Sequence, residues 1–280
     1  MIELGPNRYG KAAIRIVRVA HRDDGDGIRD LTVAVALEGA FGAAHTDGDN
    51  SAVIATDTMK NTAYALAKDH LDGAIEGYGK ALAEHFLRER QVDSATVDVR
   101  EHHWTPIELD DQPAGAFVRG GEGTRVATVT ATRGGTTVDA GVEDLVVMKT
   151  RRSAFSGFPR DRYTTLPETD DRLMATRLTA IWRYRSPDID ADLAFAAIRR
   201  TLLDVFAEHD SPSVQASTWI IGRAILERHE EVETVRMVLP NLHHWLVDLS
   251  PFGLDNDREI YTPTTEPHGL IETTVRRGEA

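Results

Sequence analysis

The apolar periodicity of this chain changes from two to three-or-four and back again, and it does so twice. Residues 13–19 alternate, with Ile14 and Ile16 set against Arg15 and Arg18, and 31–37 form a second β-rich run beyond the Asp- and Gly-rich stretch RDDGDGIRD. Two such runs around a turn cluster predict a β-hairpin. The step then lengthens: Ile75, Tyr78, Leu82 and Phe86 recur at helical spacing within 74–90, and 60–68 predicts a shorter helix before it. Alternation returns in 92–102, through Val97 and Val99, and in 117–132, which the glycine-rich GGEG divides. The second pass predicts strands over 138–149 and 175–185. A helix over 190–208 follows, with Pro187 and Asp188 at its start and Leu193, Ala197, Leu202, Val205 and Phe206 near one face. A further helix over 214–229 carries Trp219, Ile220 and Ile225, and strands over 232–239 and 271–275 complete the order.

Each half therefore reads strand, strand, helix, helix, strand, strand, a repeat of pattern and not of residue identity. Antiparallel strands with helices grouped on one face make an α+β fold. The boundary falls in RGGTT at 133–137, giving halves 1–135 and 136–280. Such a sheet must cover its outer strands or pair them, and oligomerisation is the expected solution.

Composition narrows the function. Hydrophobic residues make up 41% and charged residues 28%, as in ordinary globular proteins. No run approaches the roughly 18 apolar residues a membrane helix needs. The balance of 45 acidic against 32 basic residues, a net charge of −13, argues against nucleic acid as a partner and means that an anionic ligand needs a local basic pocket. Cysteine is absent, which excludes disulfides, thiolate nucleophiles and Cys-based metal sites. The N-terminal MIELGPNRYGKAAIRIVRVA lacks an apolar signal-peptide core, so a cytoplasmic location is expected.

Polar residues crowd among β-branched and aromatic ones in four places: YGK at 9–11, ATDTMKNT at 55–62, RSAFSGFPRDRYTTLPETDDR at 152–172 and PNLHHWLVDL at 240–249. Other polar clusters lead nowhere. DGDG at 24–27 and DGDN at 47–50 lack the spaced ligands and closing glutamate of a calcium loop and read as turns. GGEG at 120–123 precedes a strand, where a phosphate loop would open a helix. The adjacent pairs His102–His103 and His243–His244 suggest metal, but neighbours on a strand face opposite ways, so no metal site is expected.

Three of these blocks, NSAVIATDTMKNTAYALAKDH, SAFSGFPRDRYTTLPETDDR and PNLHHWLVDLSPFG, resemble the urate oxidase (uricase) family in sequence and in order, and the resemblance runs from Tyr9 to about Val275. It implies the tunnelling fold, two repeated halves assembling as a homotetramer around a β-barrel tunnel, with active sites at subunit interfaces. It implies oxidation of urate by O2 and water to 5-hydroxyisourate and H2O2, without metal or organic cofactor.

The resemblance also implies roles. Phe155 would stack on the flat purine, a contact type worth about 1–3 kcal/mol. Arg172 would grip the anion with its guanidinium fork, and Gln215 would be the opposite jaw, an amide that both donates and accepts. Val214 would add a backbone group, Leu166 would line the pocket, and Asn241 would sit over the ring where O2 or water binds. Lys11, Thr56 and Asp57 would come from the neighbouring subunit, with His243 completing a Lys11–Thr56 proton relay.

Residue chemistry alone leaves simpler readings open. Phe155 could be core, Arg172 a surface ion-pair partner of Asp170 or Asp171, Gln215 a helix-start polar residue, and Thr56 and Asp57 a helix cap. Two other functions also remain: a zinc-dependent tunnelling-fold enzyme acting on a pterin or GTP, and a purine-binding oligomer without catalysis. The first wants a spaced His or Cys ligand set that the sequence lacks; the second has no need of Lys11 and Thr56 together.

Overall fold

The computed structural model describes residues 1–21, 26–109, 112–121 and 123–278. Asp24 and Gly25 of DGDG and Glu122 of GGEG lie outside the described residues. The elements run β1 (Tyr9–Ala20), β2 (Gly27–Gly39), α1 (Gly42–Thr46), α2 (Thr56–His70), α3 (Ile75–Leu87), β3 (Val92–Glu101), β4 (Trp104–Leu109), β5 (Gln112–Arg119), β6 (Thr124–Thr132) and β7 (Gly135–Lys149). They continue with β8 (Met174–Tyr184), α4 (Ala191–Glu208), α5 (Val214–Arg228), β9 (Val232–Leu246), β10 (Tyr261–Thr264) and β11 (Leu270–Arg276). The chain divides into two compact units. Unit 1 is Met1–Gly141 with Arg183–Ala196, and unit 2 is Val142–Trp182 with Ala197–Ala280.

In unit 1 the antiparallel order is β1-β2-β3-β6, followed by the start of β7. The predicted stripe of α3 is its buried one: Ile75, Tyr78 and Leu82 are fully buried and Phe86 nearly so, against β3 and β6. The Tyr78 hydroxyl donates to Ala63 O of α2 at 2.8 Å, so the one polar atom of that stripe is satisfied in the core. β4 and β5 form a separate hairpin. β4 was not expected from sequence, because Pro106 interrupts its short run.

In unit 2 the rest of β7 is followed by β8 and β9. β9 is longer than the 232–239 expected from sequence. It pairs β11 up to Pro240 and then β10 from His243 to Leu246, so the PNLHHWL block is strand. Pro240 stands where β9 changes partner, a position open to proline, and its carbonyl accepts from the buried Thr176 hydroxyl at 2.9 Å. Two helical faces differ from expectation. Leu193 and Ala197 are exposed, and the buried stripe of α4 is Ile198, Thr201, Leu202, Val205 and Phe206. Trp219 is also exposed, because α5 turns Val214, Ser217, Thr218, Ile221 and Ile225 inward toward β9 and β11. Among the described residues no helix is long and apolar enough to cross a membrane.

Candidate active site

The residues singled out from sequence fall into two groups, one per unit. Lys11, Thr56 and Asp57 lie in unit 1; Phe155, Leu166, Arg172, Val214, Gln215, Asn241 and His243 lie in unit 2.

Lys11 is aimed by an irregularity. Lys11 pairs with Val35 but Ile14 pairs with Val33, so β1 holds one residue more than β2 across this stretch, and Ala13 within it has φ 56°. An extra residue swaps the faces of an alternating strand. Tyr9 and Lys11 consequently share the face of Ile14 and Ile16, opposite the buried Leu37, Val35, Val33 and Leu31. Alternation carried back unbroken from Ile14 turns Lys11 to the other side. At Gly10 a Cβ would stand 1.8 Å from Val35 O, so glycine permits the close approach beside the lysine.

Tyr9 then ties this strand to α2. Its hydroxyl donates to Ile54 O at 3.2 Å and accepts from Ile54 N at 2.8 Å. Burial pushes the phenol up from its ordinary pKa, so the proton it donates to Ile54 O is retained. This clip fixes the entry to α2, whose first residue is Thr56. The cap residue is Ala55, with no side-chain capping bond, so Thr56 does not cap the helix, and among the described residues its hydroxyl has no partner. Asp57 is exposed and hydrogen-bonded by Lys60, which holds its carboxyl below the usual range, and by Asn61 at 3.0 Å; the charge of Lys11 acts in the same direction.

In unit 2 two segments are clipped together. Phe155 N donates to Thr169 O at 2.8 Å, Thr169 N donates to Phe155 O at 3.0 Å, and Arg172 N donates to Ser153 O at 2.8 Å. These bonds bring the Arg172 guanidinium to 5.1 Å from the centre of the Phe155 ring. Phe158 stacks on that ring at 4.9 Å and 16°, so a Phe155 face accepts a flat partner. Neither Asp170 nor Asp171 pairs with the Arg172 guanidinium. Its Nε is buried and has no hydrogen-bond partner among the described residues. Burial pulls its pKa below the usual value, although an arginine remains cationic. An unmatched buried donor is costly, and an acceptor group would satisfy it.

Phe155, Leu166, Arg172, Asn241 and His243 line one cavity of about 380 Å³. Asn241 is held where β9 passes from one partner strand to the other, its N–H donating to Gly269 O at 2.8 Å. Burial and the Arg172 charge lower the pKa of His243, favouring the neutral ring, which lies against Trp245 at 5.2 Å. His243 and His244 are both among the residues lining this cavity. His102 and His103 do part company, with Thr32 Oγ1 at 2.8 Å and Thr105 Oγ1 at 3.3 Å respectively. No group of three or more His, Asp or Glu is placed to hold a metal among the described residues.

Val214 and Gln215 do not line the cavity. They occupy the first turn of α5, Val214 buried and Gln215 exposed, behind Ser213, whose hydroxyl accepts from Ala216 N at 3.1 Å. Sequence reasoning missed Trp245, Arg258 and Tyr261 in the cavity wall. Trp245 stood inside a flagged block, and its neighbourhood to His243 was the available signal. Arg258 and Tyr261 lie in a loop and a short strand without apolar rhythm.

A family model described as Uricase matches residues 7–130 and 138–272. The uricase of Arthrobacter globiformis is 42% identical over 277 residues, covering 99% of this chain and 90% of that relative. That of Dictyostelium discoideum is 38% identical over 286 residues, covering 100% and 99%. The crystal structure of the Arthrobacter globiformis uricase superposes with a TM-score of 0.95 at 41% identity, over 100% of this chain and 96% of that one, so the α+β architecture is the tunnelling fold. By family model, relatives and fold together, the chain belongs to the uricase family.

Proposed function

We infer that the chain is a urate oxidase, converting urate, O2 and water to 5-hydroxyisourate and H2O2, and that its machinery is divided between the two groups of residues. The observation that carries the reading is the cavity in which Arg172, with an unmatched buried donor, stands beside the Phe155 ring. A planar purine anion supplies both a stacking face and an acceptor. Gln215 and Val214, at the start of α5, would take the opposite edge of the ring, and Leu166 would pack against it.

The chemistry follows from the substrate's own electrons. Lys11 and Thr56, from a neighbouring subunit, would take the proton with His243, and Asp57 would close the wall of that niche. The resulting urate anion is electron-rich enough to pass an electron to O2. The radical pair recombines to a peroxide on the ring carbon beneath Asn241 and Thr56. Peroxide leaves as H2O2, and water adds at the same carbon, so urate loses two electrons and O2 gains them. The neutral ring favoured at His243 can accept a proton. The protein deprotonates, orients and positions the small molecule. No metal or organic cofactor enters this scheme.

The same reading makes 1–135 and 136–280 the two repeats, four chains the assembly around a barrel-shaped tunnel, and the cytoplasm the location. The test follows loss of urate's ultraviolet absorbance together with oxygen uptake, using chelator-treated protein. Equal consumption of urate and O2 is expected. Correctly assembled, metal-free protein that leaves urate unchanged in aerated buffer overturns the reading.

A further inference from the structure

Lys149, the last residue of β7, is nearly buried, and its charge is used up on one helix end. Its ammonium donates to Phe206 O at 2.9 Å, Ala207 O at 3.1 Å and His209 O at 2.7 Å, which employs all three of its N–H bonds. The remaining carbonyl in this row, Glu208 O, accepts from Arg152, which also pairs with Asp210. Two cations from one short segment thus cover the carbonyl end of α4, where backbone acceptors lack helical partners and the helix dipole is negative.

That segment is the approach to Phe155. Arg152 has φ 62°, a left-handed conformation that costs a non-glycine residue about 1–2 kcal/mol and turns the chain out of β7. Directly after it, Ser211 N donates to Arg152 O at 2.9 Å and Ala154 N donates to Ser211 O at 2.7 Å. Ser153, between them, takes the Arg172 N–H. Buried hydroxyls extend the connection to α5. His209 Nδ1 lies 2.6 Å from Val205 O and therefore carries a proton; its Nε2 lies 2.8 Å from Ser217 Oγ, and Ser217 lies 2.8 Å from Ser211 Oγ. The backbones of Phe155 and Arg172 and the start of α5 are thus referred to one point, the end of α4.

We propose that Lys149, assisted by Arg152 and the His209–Ser217–Ser211 chain, is a positioning residue for substrate binding, holding Phe155, Arg172 and the first turn of α5 in register by anchoring their segments to the end of α4. The proposal rests on the assignment of Phe155 and Arg172 to the purine site. Lys149 touches no lining residue of the cavity through its ammonium and acts through the backbone alone.

The test measures kcat, KM for urate and thermal midpoint in Lys149→Met and Ser217→Ala, with Arg172→Ala as reference. Arg172→Ala should raise KM strongly. If it does not, the site assignment fails before the positioning role is in question. Given that rise, Lys149→Met should increase KM about ten-fold and change kcat by less than that, because the segments it anchors carry the stacking and anion-gripping groups, whereas Lys11, Thr56 and His243 stand on other segments. Lys149→Arg, which keeps a cation but replaces a compact ammonium by a planar fork, should fall between. Ser217→Ala, which removes one buried hydroxyl, should raise KM about three-fold and serves if Lys149→Met does not fold. A lowered thermal midpoint with unaltered KM in whichever of the two folds makes Lys149 a fold residue only and overturns the proposal.

Discussion

Thr56 carries the proton-transfer argument in its simplest form. Its hydroxyl begins α2 without capping it and is left without a partner among the described residues, beside a strand whose lysine is turned to the same helix-covered face. Lys11→Ala and Thr56→Ala should each lower kcat by about 10²–10⁴, the usual contribution of a positioned acid–base group, with the thermal midpoint little changed. A turnover within a few-fold of the parent excludes the relay. His243 gives a pH signature. Its pKa is depressed by burial and by Arg172, so the neutral ring is favoured in the folded state. A depressed folded-state pKa means that its contribution to stability is present above about 6.5, the pKa of an unfolded His, and is lost as pH falls through the lower folded value. The acid limb of kcat/KM should therefore lie below pH 6.5, and His243→Gln should remove the part of that limb that His243 sets; an unshifted limb assigns it to another group.

At the scale of elements, legibility tracked the clarity of each period. The α3 stripe was readable because every apolar residue in it is buried on one side. The α4 face was misplaced because alanine is ambiguous: Ala197 and Leu193 mimic a stripe rotated from the real one, which Thr201 helps to fill. β9 was cut short because Pro240 and the two histidines break the apolar rhythm, although its backbone pairing simply changes partner there. The site residues were readable only through family resemblance, since an arginine beside two aspartates says nothing of which it will pair with. Packing of α5 offers a test of its own. A Cβ on Gly222 would stand 2.6 Å from Val275 Cγ2 and 3.1 Å from Met237 Cε. Gly222→Ala should destabilise the fold by about 1–3 kcal/mol, read as a lower midpoint in urea at unchanged slope. A neutral effect shows that α5 can move off β11 without loss.

For the whole molecule, the separation of the two residue groups suggests an assembly experiment. If each active centre draws Lys11 and Thr56 from one chain and Arg172 from another, mixing inactive Lys11→Ala chains with inactive Arg172→Ala chains should regenerate some intact centres. Partial recovery of urate oxidation in demonstrably mixed oligomers is expected, and its absence there rules out sites shared between chains. With a net charge of −13, attraction of a urate anion falls to local cations such as Arg172 and Arg258 of the cavity, not to the surface as a whole.

The extra residue near Ala13 has a consequence for how such chains can change length. Because a strand counts in twos, pairing every residue from Lys11 to Ile14 without the bulge would turn the lysine to the outside of the sheet, whereas deleting one alanine together with the bulge would leave Lys11 two residues before Ile14 and on the same face. A chain one residue shorter here could therefore keep its lysine aimed as before, provided that the bulge leaves with the residue.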